Sequence, residues 1–315
     1  MIIDIDSIFS FHQLGERENQ EDARYPDENI PNSSSSVFVV CDGVGGCEKG
    51  EIASSTVCKC IGNSLINHKN TDQFTDIDLK RVLGQAYKAL DDVSNKSNKG
   101  MGTTLTFVIF HSNGILAAHI GDSRIYQIRP GEGIMYRSED HSLVNSLLRS
   151  GNISPDKVKD HPRGNVITRC MSANDGTRER DNATVINIQD VAPGDYFLLC
   201  TDGVYGMVDE DELLDIYFSE LTDEEKYLQL SERCKNSSDN NTAIQIHIGL
   251  VTLDPIQDVE TNNNDETDCD EENIEEDTSI KTQKLTNKQD SVYEVSSSSS
   301  STQSIFQKLF NKLFK

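Results

Sequence analysis

The stretch 37–46, Val-Phe-Val-Val-Cys-Asp-Gly-Val-Gly-Gly, constrains this chain more than any other. Its five leading apolar residues are mostly β-branched or aromatic and predict a buried strand. The strand delivers Asp42 at its end. A carboxylate at the end of a buried strand is costly unless something positive meets it. Gly43, Gly45 and Gly46 follow at once and let the backbone turn sharply and approach a ligand. A cation held by the Asp42 carboxylate and an adjoining backbone carbonyl would satisfy the site. An ordinary Asp-Gly turn closing a strand is the plainer alternative.

The same device recurs. Residues 196–203, Tyr-Phe-Leu-Leu-Cys-Thr-Asp-Gly, deliver Asp202, and residues 117–124, Ala-Ala-His-Ile-Gly-Asp-Ser-Arg, deliver Asp122. Three such aspartates suggest convergence on one point, and oxygen-only donors favour Mg²⁺ or Mn²⁺ over Zn²⁺. A fourth acid, Asp239, stands before the apolar run 243–253. It reaches the same place if that strand runs antiparallel to the Asp42 strand. The polar run 15–23 sets Arg17 among four acids, Glu16, Glu18, Glu21 and Asp22. It reads either as a solvated turn, or as a planar guanidinium fork suited to a phosphate, with Glu21 or Asp22 adding to the cation shell.

Around these points the chain alternates strands and helices. Residues 2–11 predict a first strand, and 24–36 a surface loop ending in four serines. Residues 48–65 have helical spacing, with Ile52, Ala53, Val57, Ile61 and Leu65 inward. Residues 76–93 follow suit, with Leu79, Val82, Leu83, Ala86, Leu90 and Val93 inward. Two amphipathic helices after a buried strand imply a helical layer on a sheet. Short strands at 104–110, 115–120, 123–128 and 133–137 read as antiparallel hairpins. A helix is expected from Glu139 through Leu148, then a mobile surface segment over 152–165. Strands at 183–188 and 195–200, helices at 209–218 and 222–234, and a last strand at 243–253 complete the pattern. Both late helices have acidic first turns, as the helix dipole prefers.

The chain has 315 residues and a formal net charge of −24, with 53 acidic against 29 basic side chains. No basic run precedes the C-terminus, so nucleic acid is not an expected partner. The eight cysteines show no paired zinc-finger spacing and are expected to be reduced thiols. The N-terminus lacks the basic and apolar regions of a signal peptide. No apolar run reaches membrane-span length. A cytoplasmic protein is expected on these grounds.

The character changes near residue 254. Residues 258–277 hold eleven acids and no base, and a serine run occupies 296–301. Such composition cannot bury enough apolar surface to fold. At the end, Ile305, Phe306, Leu309, Phe310, Leu313 and Phe314 share one face, and Lys308, Lys312 and Lys315 take the other. Three parts follow: a folded domain over 1–253, an acidic and serine-rich disordered linker over 254–303, and a basic amphipathic helix over 304–315. That helix suits reversible docking on a membrane surface, giving a peripheral location, or in a partner's groove.

Arg17 with Glu21-Asp22, Asp42-Gly43-Val44-Gly45-Gly46, Gly102-Thr103-Thr104, Gly121-Asp122-Ser123-Arg124, Asp140-His141-Ser142, Thr201-Asp202-Gly203 and Asp239-Asn240-Asn241-Thr242 occur in this order. Together they resemble the PP2C (PPM) family of metal-dependent protein serine/threonine phosphatases, in its compact bacterial form, over residues 3–253. The resemblance implies an α+β fold, a four-layer αββα sandwich of two antiparallel β-sheets flanked by helices. It implies hydrolysis of phosphoserine and phosphothreonine by in-line attack of a metal-bridging water, with Arg17 anchoring the phosphate. Two Mn²⁺ or Mg²⁺ ions are implied, with a third, weaker site. Asp42 would bridge the two ions, the Gly43 carbonyl would bind one, and Asp202 and Asp239 would hold the first. Asp22, with Glu21 beside it, would help hold the second, partly through water, and Asp122 would complete the third site. Segment 152–165 matches the family's flap. Phosphorylated proteins, an opposing Ser/Thr kinase and a monomeric state are the partner expectations. Animal members carry a histidine where this chain has Val44, which leaves the proton donor unassigned; His141 is more simply read as structural. A catalytically inactive member that binds phosphoproteins or serves as a scaffold is the alternative, and a nuclease is disfavoured by the acidic surface.

Overall fold

A strand made wholly of apolar residues requires cover on both faces, and the layering of the molecule follows from that requirement. The computed structural model describes residues 1–27, 35–44, 49–94, 101–158, 161–174 and 179–253. The chain divides into two units, Met1–Gln257 and Asp258–Lys315. The expected linker and C-terminal helix, and Gly45 and Gly46, lie outside the described residues.

In chain order the strands are β1 (Ile2–Gln13), β2 (Asp22–Tyr25), β3 (Val37–Asp42), β4 (Gly102–Thr103), β5 (Leu105–His111), β6 (Gly114–Ile120), β7 (Arg124–Arg129), β8 (Gly133–Arg137), β9 (Met171–Ser172), β10 (Thr184–Ile188), β11 (Tyr196–Cys200) and β12 (Asn241–Thr252). The helices are α1 (Gly50–Ser64), α2 (Asp76–Val93), α3 (Leu143–Arg149), α4 (Asp202–Tyr205), α5 (Glu210–Phe218) and α6 (Asp223–Cys234). One five-stranded sheet has the order β1-β12-β11-β7-β8, the other β10-β6-β5-β3-β2, and all pairings are antiparallel. β4 and β9 form a small separate ladder.

Three apolar layers hold the sheets and helices together. On β3, Val37, Val39 and Cys41 face α1 and α2, packing with Val57, Ile61, Val82 and Leu90. Phe38 and Val40 face the other way, into the layer between the sheets, against Phe197, Leu199, Ile244 and Ile246. On β11 the division repeats: Phe197 and Leu199 point between the sheets, while Tyr196, Leu198 and Cys200 meet Leu213, Ile216 and Leu230 of α5 and α6. The result is the expected αββα sandwich.

Local chemistry sets the helix ends. Thr75, Asp209 and Thr222 each close a capping box at the start of α2, α5 and α6. In α1 the expected face is buried except Ile52, 36% exposed, and in α2 Val93 is exposed at the last turn. Both lie in a terminal turn of their helix. The expected helix from Glu139 begins only at Leu143, with Ser142 as its N-cap, because Asp140 and His141 are held in other contacts. Ser36, expected on a surface loop, is buried and donates to the His68 carbonyl at 2.7 Å. Among the described residues, no helix is long and apolar enough to cross a membrane.

Candidate active site

Antiparallel pairing brings five chain segments to one end of the sandwich. Asp42 ends β3, and Asp22 begins β2 directly opposite it. Asp122 lies in the corner where the chain leaves β6 in one sheet and enters β7 in the other. Asp202 follows β11, and Asp239 precedes β12. Cys200 of β11 pairs with Ala243 of β12, which places Asp239 beside Asp202 rather than beside the Asp42 strand. β12 and β3 belong to different sheets but run in opposite directions, as expected, so Asp239 before β12 and Asp42 at the end of β3 arrive at the same end.

Glu21, Asp42, Gly43, Asp122, Asp202 and Asp239 line one cavity of about 230 Å³, together with Arg17, Val44 and Thr104. Asp22 does not line it. That side chain is buried behind the cavity, where its Oδ2 accepts from Thr201 Oγ1 at 3.0 Å and its Oδ1 has no partner among the described residues. Asp202 Oδ1 is likewise buried and without a partner there.

The scaffold around the acids is specific. The Asp42 amide donates to Thr104 Oγ1 at 2.9 Å, and the Asp42 carbonyl accepts from Thr103 Oγ1 and the Thr104 amide, both at 2.8 Å. Thr104 Oγ1 also meets Ser123 Oγ at 2.7 Å, which ties the Asp42 and Asp122 corners together. Buried Asn240 accepts from the Glu21 amide at 2.8 Å and donates to the carbonyls of Leu14 and Asn19, so it holds the Arg17–Glu21 loop against the start of β12. Thr201 and Asn240 have no charge, and the sequence offered only their place beside Asp202 and Asp239 as a signal. The glycines are needed for close approach. A Cβ on Gly43 would lie 2.5 Å from the Gly50 backbone, and one on Gly203 only 2.1 Å from the Asn240 carbonyl.

Charge is unbalanced in this cavity. Burial raises the Asp42 carboxyl well above its ordinary range, and Asp22, Asp202, Asp122 and Asp239 raise it further. Burial pushes Asp122 up to about 7, with Asp202 and Asp140 adding to it. Asp202 is pushed up to about 6 by burial and by Asp239. Asp22 is pushed up to about 7 chiefly by burial. Glu21 is raised by burial and by Glu51. The cation lining this cavity is Arg17, which is 48% exposed and donates to Asp239 Oδ2 at 2.5 Å. Nearby Arg124 is committed, donating to both Asp140 oxygens at 2.8 Å. The donor set is therefore all oxygen, strongly anionic and short of positive charge, which fits divalent cations.

His141 does not line this cavity. Its Nδ1 accepts from the Gly121 amide at 3.1 Å, its Nε2 meets Thr184 Oγ1 at 2.8 Å, and its ring stacks on His119 at 4.5 Å. Burial pushes it down to about 3, and the nearby His119, Arg169 and Arg149 act in the same direction. It is a neutral brace for the corner that carries Asp122.

The protein phosphatase 2C family profile matches residues 19–239, which hold most of this constellation. This chain belongs to the protein phosphatase 2C family. It is a serine/threonine protein phosphatase of that type. It is 32% identical over 214 residues to protein phosphatase PhpP of Streptococcus pneumoniae, covering 65% of this chain and 81% of that one. Its fold is similar to serine/threonine phosphatase Stp1 from Staphylococcus aureus, with a TM-score of 0.65 and 27% identity over 78% of this chain and 97% of the other. It is also similar to the catalytic domain of the phosphatase PstP, solved in complex with two manganese ions, with a TM-score of 0.59 and 26% identity, covering 77% of this chain and 97% of that one.

Proposed function

We propose that this phosphatase cleaves phosphoserine and phosphothreonine in proteins at the carboxylate cavity, with Arg17 anchoring the phosphate. The observation that carries this reading is the meeting of Asp42, Asp122, Asp202 and Asp239 in one small cavity lined, among the described residues, by one half-exposed arginine. Glu21, Asp42, the Gly43 carbonyl, Asp122, Asp202 and Asp239 would hold divalent cations. Mn²⁺ is the first candidate, because a relative of the same fold is solved with two such ions. Asp22 stands behind Asp42 and would contribute through water from its unpartnered Oδ1.

Bound cations would lower the pKa of a water and offset the charge of a phosphate dianion, whose uncatalysed hydrolysis is among the slowest known. The chain itself supplies position. The threonine clamp on Asp42 and the Asn240 tether fix the acids before substrate arrives, so little reorganisation remains for the transition state. Arg17 presents a planar fork to two phosphate oxygens. Its present partner, Asp239, is 34% exposed, so releasing the guanidinium costs little. Val44 offers no proton at the place where animal members carry a histidine. No nucleophilic side chain is required, and the cysteines before Asp42 and Asp202 are buried thiols held protonated by burial.

The test is hydrolysis of p-nitrophenyl phosphate and a phosphothreonine peptide by the full chain, with Mn²⁺, with Mg²⁺ and with chelator. Metal-dependent turnover of both is expected. A folded protein that turns over neither with any metal overturns the reading in favour of a phosphoprotein-binding role.

A further inference from the structure

Beside the carboxylate cavity lies a larger groove of about 690 Å³. Asp122, Asn165, Asp202 and Asp239 line both, so the two spaces are continuous. The smaller cavity is below the usual size of a ligand site. It suits a phosphoryl group and its cations, and leaves no space for the neighbouring residues of a polypeptide substrate.

Part of the groove's lining is apolar. Val144 and Leu148 come from successive turns of α3, Val158 from the segment after it, and Met207, 40% exposed, from the turn after α4. The two arginines in the groove are engaged. Arg124 is bound to both Asp140 oxygens and lies over the Tyr205 ring at 3.7 Å. Arg137 donates to Glu210 at 2.7 Å. Among the described residues both cations of this groove already face an acid, Arg124 in a largely buried pair and Arg137 in an exposed one, and the remaining charges are the acids it shares with the smaller cavity.

Resting on the proposed phosphatase reading, we propose that this groove is a specificity site that binds a bulky apolar side chain flanking the phosphoresidue and disfavours acidic flanks. Leu148 and Met207 form the contact. A leucine placed there leaves water for apolar contact, while a glutamate meets the field of the shared aspartates.

The experiment compares matched phosphothreonine peptides carrying Leu, Ala or Glu at the flanking positions, alongside p-nitrophenyl phosphate, all with Mn²⁺. At the position that reaches the groove, kcat/KM is expected to fall about tenfold from Leu to Ala, and further to Glu. In Leu148→Ala and Met207→Ser, checked for folding by circular dichroism, the Leu-to-Ala ratio should collapse towards one. Absence of p-nitrophenyl phosphate turnover would defeat the phosphatase reading itself. Its turnover with no discrimination among peptides, or with discrimination unchanged in both variants, overturns the groove assignment alone.

Discussion

At the scale of single residues, the site is a problem of like charge. Asp22 and Asp42 face each other across neighbouring strands, an arrangement that destabilises a sheet when both are ionised. The fold tolerates this because geometry, not favourable pairing, holds the acids in place. Asp42→Asn and Asp202→Asn should each lower metal-dependent turnover at least a hundredfold. In chelator the same variants should melt above the parent chain, since each removes a buried charge, and Mn²⁺ should reverse the order. Melting curves with and without Mn²⁺ check this; a lower melting point in chelator would show that these carboxylates are net stabilising. Arg17 obeys different arithmetic. Its ion pair is too exposed to add much stability, whereas a charge-assisted bond to phosphate is worth about 1.5–3 kcal/mol. Arg17→Ala should therefore cut kcat/KM by about 10- to 100-fold with the melting point unchanged, and Arg17→Lys should fall between. Loss of stability without loss of kcat/KM would contradict this role.

At the scale of elements, one polar cluster ties α6 to its sheet. Ser7 of β1, His247 of β12 and Tyr196 of β11 stand in one row across the sheet. Asp223 in the first turn of α6 accepts from Ser7 at 2.6 Å and Tyr196 at 2.5 Å, and lies 2.8 Å from His247. Burial alone would raise this carboxyl, but its contacts with His247, Ser7 and Tyr196 prevail and hold it well below the usual carboxylate range. A depressed folded pKa stabilises above the unfolded value, near 4, and that contribution is lost as pH falls below it. Asp223→Asn should cost about 2 kcal/mol at pH 7. Denaturant unfolding from pH 7 to pH 3 should show the gap between parent and variant closing at the acid end. A gap that is constant with pH would mean that the asparagine is tolerated or penalised for its shape alone.

At the scale of the whole molecule, every strand and helix of the described sandwich, and every acid of the cavity, precedes residue 254. Removing 254–315 should leave turnover of a small aryl phosphate within a few fold of the full chain. Collapse of that activity in a folded truncation would make the acidic segment or the basic amphipathic end part of the catalytic unit. The same comparison on anionic liposomes would test reversible docking through 304–315: equal flotation of both forms would remove the membrane and leave a partner's groove.

The sequence by itself determined the elements and their chemistry. Apolar runs of strand length that deliver an aspartate, and helices marked by apolar spacing, are decided by nearby residues, so they were legible without neighbours. Tertiary structure decided what depends on distant partners. β2 was invisible because Asp-Ala-Arg-Tyr has no strand pattern of its own and is held extended by pairing with β3. The bulges after Ile3 and Ile5 reset which side chains of β1 face inward. β12 pairs between β1 and β11, a matter of sheet order that hydrophobic pattern does not encode. Glu21 reaches the cavity while Asp22, its neighbour, is buried behind it against Thr201, which residue type alone does not show. Residue type shows which groups carry charge; only the folded chain shows which of them share one space.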